Sequence, residues 1–284
     1  MPIAAIGLLF LSAILHTSWN LLLKKSEEKF VATWWTVTIG GAASLIVLFF
    51  IGLPPREIWI FGLLSVLVEG AYFITLSYAY QDHDFSLVYP LARGAAPAFL
   101  AVWSLTLLGE RPTPGGMLGL ALIIGGLLFV AASTLIGSAA KGIHLRGILL
   151  ALTTALLISI YTAIDGTAIK RAHTIAYAFL VLGLTPLPVT PFVLRRYSWS
   201  QVLGAWKTQR LRLLWTGLLG VTSYVLALLA YTLAPLSYSG AIREVSVVMG
   251  AFAGWRFLGE KLGQTRVIGA IIIFAGILII AIFG

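Results

Sequence analysis

The chain has 284 residues, 60% of them hydrophobic and only 10% charged, with a mean hydropathy of +0.99. A soluble domain carries about 25% charge, so a deficit spread over the whole length places most of the surface against lipid rather than water. The net charge of +9 does not indicate nucleic acid, because the basic residues sit in short segments between apolar runs, where the positive-inside rule and anionic headgroups account for them; the absence of cysteine excludes disulfides, thiolate metal sites and cysteine nucleophiles.

Ten apolar runs follow one another, at 3–23, 30–53, 58–80, 85–108, 115–136, 147–168, 174–194, 211–233, 237–258 and 264–283. Each is long enough to cross a bilayer core of about 30 Å as a helix rising about 1.5 Å per residue. None alternates as a barrel strand would. The N-terminus has no basic region or cleavage site of the secretory type, so the first run reads as a retained span. The longest connection, 195–210, carries Trp199 and Trp206 among cations and reads as an interfacial segment or a plain loop.

Ionisable groups inside the runs are the candidates for function, because burial there is costly without a partner. In the first run, Ser12, His16, Trp19 and Asn20 share a helical face. In the third, Ser65, Glu69, Tyr72 and Phe73 do the same, and Glu69 is the deepest acid. The fourth holds Arg93, one turn from Tyr89, with Pro90 and Pro97 expected to bend the helix. The sixth aligns Thr154, Tyr161 and Asp165, and the ninth carries Arg243 followed by Glu244. Trp34, Trp35, Tyr78 and Trp103 fit either an aromatic cage or an interfacial belt. Asp82, His83 and Asp84 read as a polar loop rather than a metal site, and no cofactor motif or Gly-rich phosphate loop is present. Intramembrane proteolysis would need a second aspartate to accompany Asp165, or a Ser/His pair, and neither is found.

The stretch 85–132 recurs 150 residues later. Arg93 falls on Arg243, Gly109-Glu110 on Gly259-Glu260, Gly119 on Gly269 and Gly126 on Gly276, with about ten of the 48 positions identical. The ends of runs 1 and 6, HTSWNLLLKKS and YTAIDGTAIKRA, also match. The chain therefore reads as two five-helix copies, 1–138 and 139–284. Because five is odd, the second must insert upside down relative to the first. The fold class expected is all-α: a polytopic membrane protein of ten helices in two inverted repeats. Gly115, Gly119, Gly126, Gly269 and Gly276 mark faces for close helix approach, either between the halves or in a dimer.

The two stretches LLGERPTPGGMLGLALIIGGLL and FLGEKLGQTRVIGAIIIFAGIL resemble the EamA-type branch of the drug/metabolite transporter superfamily. That resemblance implies a central cavity between the halves, lined by spans 3, 4, 8 and 9 with the inner parts of 1 and 6. It also implies alternating access without covalent chemistry, and cytoplasmic termini in the cell membrane. Counting Lys and Arg gives thirteen on the loops after odd-numbered spans and four on the others, which places the termini outside instead; the family topology is taken. The reading is a secondary-active carrier, monomeric or homodimeric, that exports a small zwitterionic or amphipathic metabolite such as an amino acid or related amine. A flippase for lipid-linked sugars or lipid headgroups is the alternative. Arg93 is expected to grip an anionic head, Glu69 to sense protons or an ammonium, and the aromatics to hold the body. Arg243, Glu244, Asp165, His16, Asn20, Tyr89, Tyr78 and Tyr161 complete the expected site. Arg93→Ala is expected to abolish transport and leave the protein folded.

Overall fold

The structure is a computed structural model. It describes the backbone of residues 1–82, 85–139, 145–172, 175–258 and 264–284, and within these all side chains except those of 24, 80–82, 85–90, 133–139, 251, 253–258 and 266. Among the described residues every regular element is a helix: α1 (Ile3–Lys24), α2 (Lys29–Ile51), a single 3-10 turn at Arg56–Ile58, α3 (Trp59–Asp82), α4 (Phe85–Thr106), α5 (Pro114–Ala139), α6 (Leu145–Ala172), α7 (Ala176–Leu184), α8 (Pro186–Arg196), α9 (Trp199–Leu233), α10 (Leu236–Arg243), α11 (Val245–Leu258) and α12 (Gln264–Phe283). Helix is what such runs require, since a backbone in lipid must pair its own N–H and C=O groups. Seven helical segments among the described residues are long and apolar enough to cross a membrane. Side chains such as Phe49 and Phe50, 84% and 79% exposed, belong against lipid tails.

The ends of these helices follow from local sequence. Pro114 and Pro186 open α5 and α8, where a residue without an N–H forfeits nothing. Gly52, at φ 84°, stops α2. Ser198 caps α9 in a reciprocal capping box with Gln201. The connection 195–210 is thus not a plain loop: from Trp199 it is helical, and a kink at Gln209 (φ −129°, ψ 20°) separates this piece from the helix of the eighth span. Trp206 stacks on Trp35 at 4.8 Å, and Trp35 Nε1 donates to the Val202 carbonyl at 2.9 Å, which holds the segment on the start of α2.

Two expected spans are interrupted. The seventh divides at Thr185, because Pro186 and Pro188 lack the N–H groups that would continue the ladder. The ninth divides at Glu244, whose backbone (φ −75°, ψ 3°) closes α10 with a bond to Ala241 before α11 begins. In contrast, Pro90 and Pro97 leave α4 undivided.

Helix α5 packs on α12, α1 on α9 and α11, α6 on α3 and α4, and α2 on α7 and α9. The glycines of α5 and α12 make that first contact possible within the chain. A Cβ on Gly119 would lie 2.7 Å from the Gly276 carbonyl oxygen, and one on Gly276 would lie 2.6 Å from that of Gly119. Both obstacles are backbone and cannot rotate away. Gly119→Ala is expected to cost about 1–2 kcal/mol by forcing the two helices apart. A lowered thermal midpoint in detergent, larger than that for Gly125→Ala, where nothing lies within 4 Å, would show it.

Candidate functional site

A cavity lies between α1, α2, α3, α6, α7, α9 and α10. Trp19, Tyr72, Phe73, Tyr161 and Tyr224 give it aromatic walls, and Gly40, Gly41, Gly217 and Gly220 supply a side with no side-chain bulk. Its polar groups are few: His16, Thr36, Glu69, Thr185 and Arg243, with the Trp19 indole N–H and the tyrosine hydroxyls. An apolar aromatic hollow with a handful of placed polar groups is the usual form of a small-molecule site.

The charged side chains around it are buried, yet only some are paired. Arg93, 4% exposed, donates to Glu244 Oε1 at 2.9 Å, so the arginine of α4 meets the acid at the α10–α11 break. The second Glu244 oxygen has no partner. Arg93 Nη2 also meets His16 Nε2, while Trp19 Nε1 donates to His16 Nδ1 at 3.2 Å. Arg243 is placed differently. Its Nη1 reaches Tyr231 Oη at 3.4 Å, its Nε has no partner, and no carboxylate lies within ion-pair distance among the described residues. It faces the main cavity and also a second, small hollow lined by Pro97, Ser159 and Thr162.

The acids across the cavity are held by hydroxyls. Asp165 accepts from Tyr177 at 2.8 Å and Tyr224 at 2.7 Å, one on each oxygen. Glu69 Oε2 lies 2.9 Å from Thr185 Oγ1, and that hydroxyl lies 2.9 Å from the Val181 carbonyl as well. Proline supplies the reason Thr185 is there: the helix break at Pro186 fixes the residue before it at the cavity wall.

Of the side chains singled out from sequence, His16, Trp19, Glu69, Tyr72, Tyr161 and Arg243 come together on the cavity. Arg93 and Glu244 stand behind it as an ion pair. Asp165 is joined to it through Tyr224. Asn20 is turned onto its own helix, donating to the His16 carbonyl at 2.8 Å. Tyr78 is elsewhere, edge-on to Phe30 and Phe192 under the Arg196 guanidinium. Trp34 and Trp103 donate to Thr190 and Ser159 and do not form a cage. The side chain of Tyr89 and the Asp82–Asp84 loop lie outside the described side chains. Sequence reasoning passed over Thr185 and Tyr224. The only signal was a hydroxyl in mid-span, which is common in membrane helices because threonine satisfies its own hydroxyl on the preceding turn.

At one end of the bundle Glu110 closes a separate arrangement. Its carboxylate accepts from the backbone N–H groups of Leu236 and Ser237 and from Ser237 Oγ at 2.7 Å, and pairs with Lys170 at 3.3 Å. These are the free donors at the start of α10. Burial acts to raise the Glu110 carboxyl, but the three hydrogen bonds and Lys170 together hold it below its ordinary value of 4.5.

A solved crystal structure aligns with 99% of this chain and 98% of its own at a TM-score of 0.74 and 18% identity, which establishes a shared fold. A comparison with curated proteins finds no match. The profile of the EamA-like transporter family matches twice, over residues 3–132 and 145–282. With apolar helices of membrane-crossing length and a family match over nearly the whole sequence, the chain belongs to the EamA-like transporter family and is a multi-pass membrane transporter of the drug/metabolite type.

Proposed function

We propose that the protein is a secondary-active carrier working by alternating access, and that it exports a small zwitterionic or amphipathic metabolite, an amino acid or related amine, from the cell across the cytoplasmic membrane. The observation that carries this reading is the pairing of unlike groups on one aromatic cavity: Arg243, with no carboxylate partner among the described residues, and Glu69, held by a hydroxyl alone. One end accepts an anionic group, the other an ammonium, and the rings of Trp19, Tyr72 and Tyr161 hold the apolar body between them. Arg93 and Glu244 position this set by fixing α4 to the α10–α11 break.

The ten-span, inverted-repeat architecture is part of the same proposal. Its support is the double family match and a packing pattern that repeats. Helix α1 lies against α9 and α11, and α6, its counterpart in the second copy, lies against α3 and α4. Those are the pairs an inverted duplication exchanges.

The test is a thermal-shift panel of amino acids, amines, phosphonates and nucleotide sugars on purified protein, followed by flux of the stabilising compound in proteoliposomes. Ligand binding raises the midpoint by mass action. Arg243→Ala is expected to abolish the flux, and flux unchanged in that variant would overturn the assignment.

A further inference from the structure

Four glycines border the cavity, Gly40, Gly41, Gly217 and Gly220, and they are not there for the same reason. A Cβ on Gly40 would lie 2.9 Å from Val221 Cγ2, one on Gly41 2.7 Å from Pro186 Cγ, and one on Gly217 2.8 Å from Ile39 Cβ. These three let α2 approach its neighbours closely. Gly220 has no such task. A Cβ there would meet only Thr36 Cγ2, at 4.0 Å. Glycine weakens the interior of a helix relative to alanine. A mid-helix glycine that no packing contact requires, with a cavity in front of it, marks a place where a ligand comes against the backbone. Gly125 has as much room, but it is exposed on α5.

The surroundings of Gly220 are apolar. Trp19 and Phe73, both on the cavity wall, pack in one cluster with Leu213 and Leu219 of α9. Two polar atoms at this end are already engaged: Trp19 Nε1 donates to His16, and Thr36 Oγ1 donates to the Ala32 carbonyl at 2.8 Å. Arg243 belongs to the other end. It reaches Tyr231, which lies about three turns, or 16 Å, beyond Gly220 along α9.

We propose that Gly220 sets how large an apolar group the substrate may carry. The substrate lies with its charged head toward Arg243 and its apolar body beside Trp19 and Phe73, against the bare α9 backbone at Gly220. This rests on the carrier reading above and deepens it by naming the residue that selects which members of the class fit. Any side chain at position 220 grows into the space of the body and leaves the head untouched, so large substrates are excluded before small ones.

The chain has no cysteine, so Gly220→Cys places a single thiol on the cavity wall whose bulk can be changed within one sample. Methyl and benzyl methanethiosulfonate each convert it to a mixed disulfide. The thiolate attacks the sulfenyl sulfur of the reagent, methanesulfinate leaves, and the thiol proton passes to water; dithiothreitol restores the thiol. Thermal midpoints of each form are read with alanine, leucine, phenylalanine, ethylamine, isoamylamine and 2-phenylethylamine. The benzyl adduct is expected to lose about tenfold or more in affinity for the largest compound that stabilises the parent protein, and much less for the smallest. The methyl adduct falls between, and dithiothreitol reverses both losses. The same adducts on Gly125→Cys are expected to change nothing. A size profile that is identical for thiol and benzyl adduct, or a loss equal across sizes, overturns the proposal. Without ligand, Gly220→Ala is expected to hold or raise the midpoint and Gly217→Ala to lower it. Equal lowering in both would show that Gly220 serves packing and would also overturn the proposal. If none of the six compounds stabilises the parent protein, the substrate class of the carrier reading fails and this proposal with it, a result distinct from an unchanged size profile.

Discussion

Arg93→Ala is expected to destabilise the protein by about 3–5 kcal/mol, the range for removing one member of a buried ion pair. The side chains of Arg93 and Glu244 are 4% and 5% exposed at 2.9 Å separation, and one Glu244 oxygen already lacks a partner. Removing the guanidinium leaves that carboxylate with no counter-charge at hydrogen-bonding distance among the described residues, and leaves His16 Nε2 without its donor. The sequence-based expectation that the variant stays folded changes accordingly: lost transport in Arg93→Ala is not by itself evidence of substrate contact. A double-mutant cycle separates the two. Arg93→Met combined with Glu244→Leu removes both charges together and is expected to recover most of the thermal midpoint, because replacing a buried pair by apolar groups is often neutral or better. A midpoint for Arg93→Ala within error of the parent protein would show that the pair contributes nothing.

That change of role shows where sequence reading stops. The helical, membrane-crossing character was legible because lipid imposes a length and an apolar composition that no other environment requires. The arginines were legible because an ionisable group inside such a run is rare. What pattern cannot provide is the partner. Arg93 and Arg243 occupy equivalent positions 150 residues apart, yet one is bound to Glu244 and the other faces the cavity. The difference arises because Gly94 in the first copy is matched by Glu244 in the second, an asymmetry visible in sequence whose consequence depends on how α4 meets the α10–α11 break. The glycines illustrate the same limit. Their spacing indicated close helix contact, and the α5–α12 packing settles that the contact is made inside one chain. Thr185 was illegible for a further reason. Its importance derives from Pro186 interrupting the seventh span beside Glu69, and an apolar window with two prolines reads equally well as an unbroken helix.

Glu110→Ala is expected to cost about 3 kcal/mol, the upper end of the range for losing hydrogen bonds to a charged group, and to slow transport although the residue is remote from the cavity. Helix α10 has only eight residues, its N-cap is Pro235, and no side chain of its own caps it. The Glu110 carboxylate takes that function from another loop, binding two backbone N–H groups and one hydroxyl, where negative charge is also favoured by the helix dipole. The other end of the same short helix carries Arg243. A rigid element of about two turns transmits an error at its start to the guanidinium at its finish, so the variant should lose substrate affinity as well as stability. The pH dependence carries the signature. Because the folded-state value is depressed below 4.5, ionised Glu110 stabilises the fold fully above that ordinary value, and the contribution disappears as pH falls through the lower folded value. The midpoint difference between the parent protein and Glu110→Gln should therefore be widest at neutral pH and close on acidification. Gln keeps an acceptor for one of the two N–H groups, and is expected to fall between Glu and Ala. A difference that is constant from neutral to acid pH would place the charge of Glu110 outside the capping interaction and return its role to simple packing.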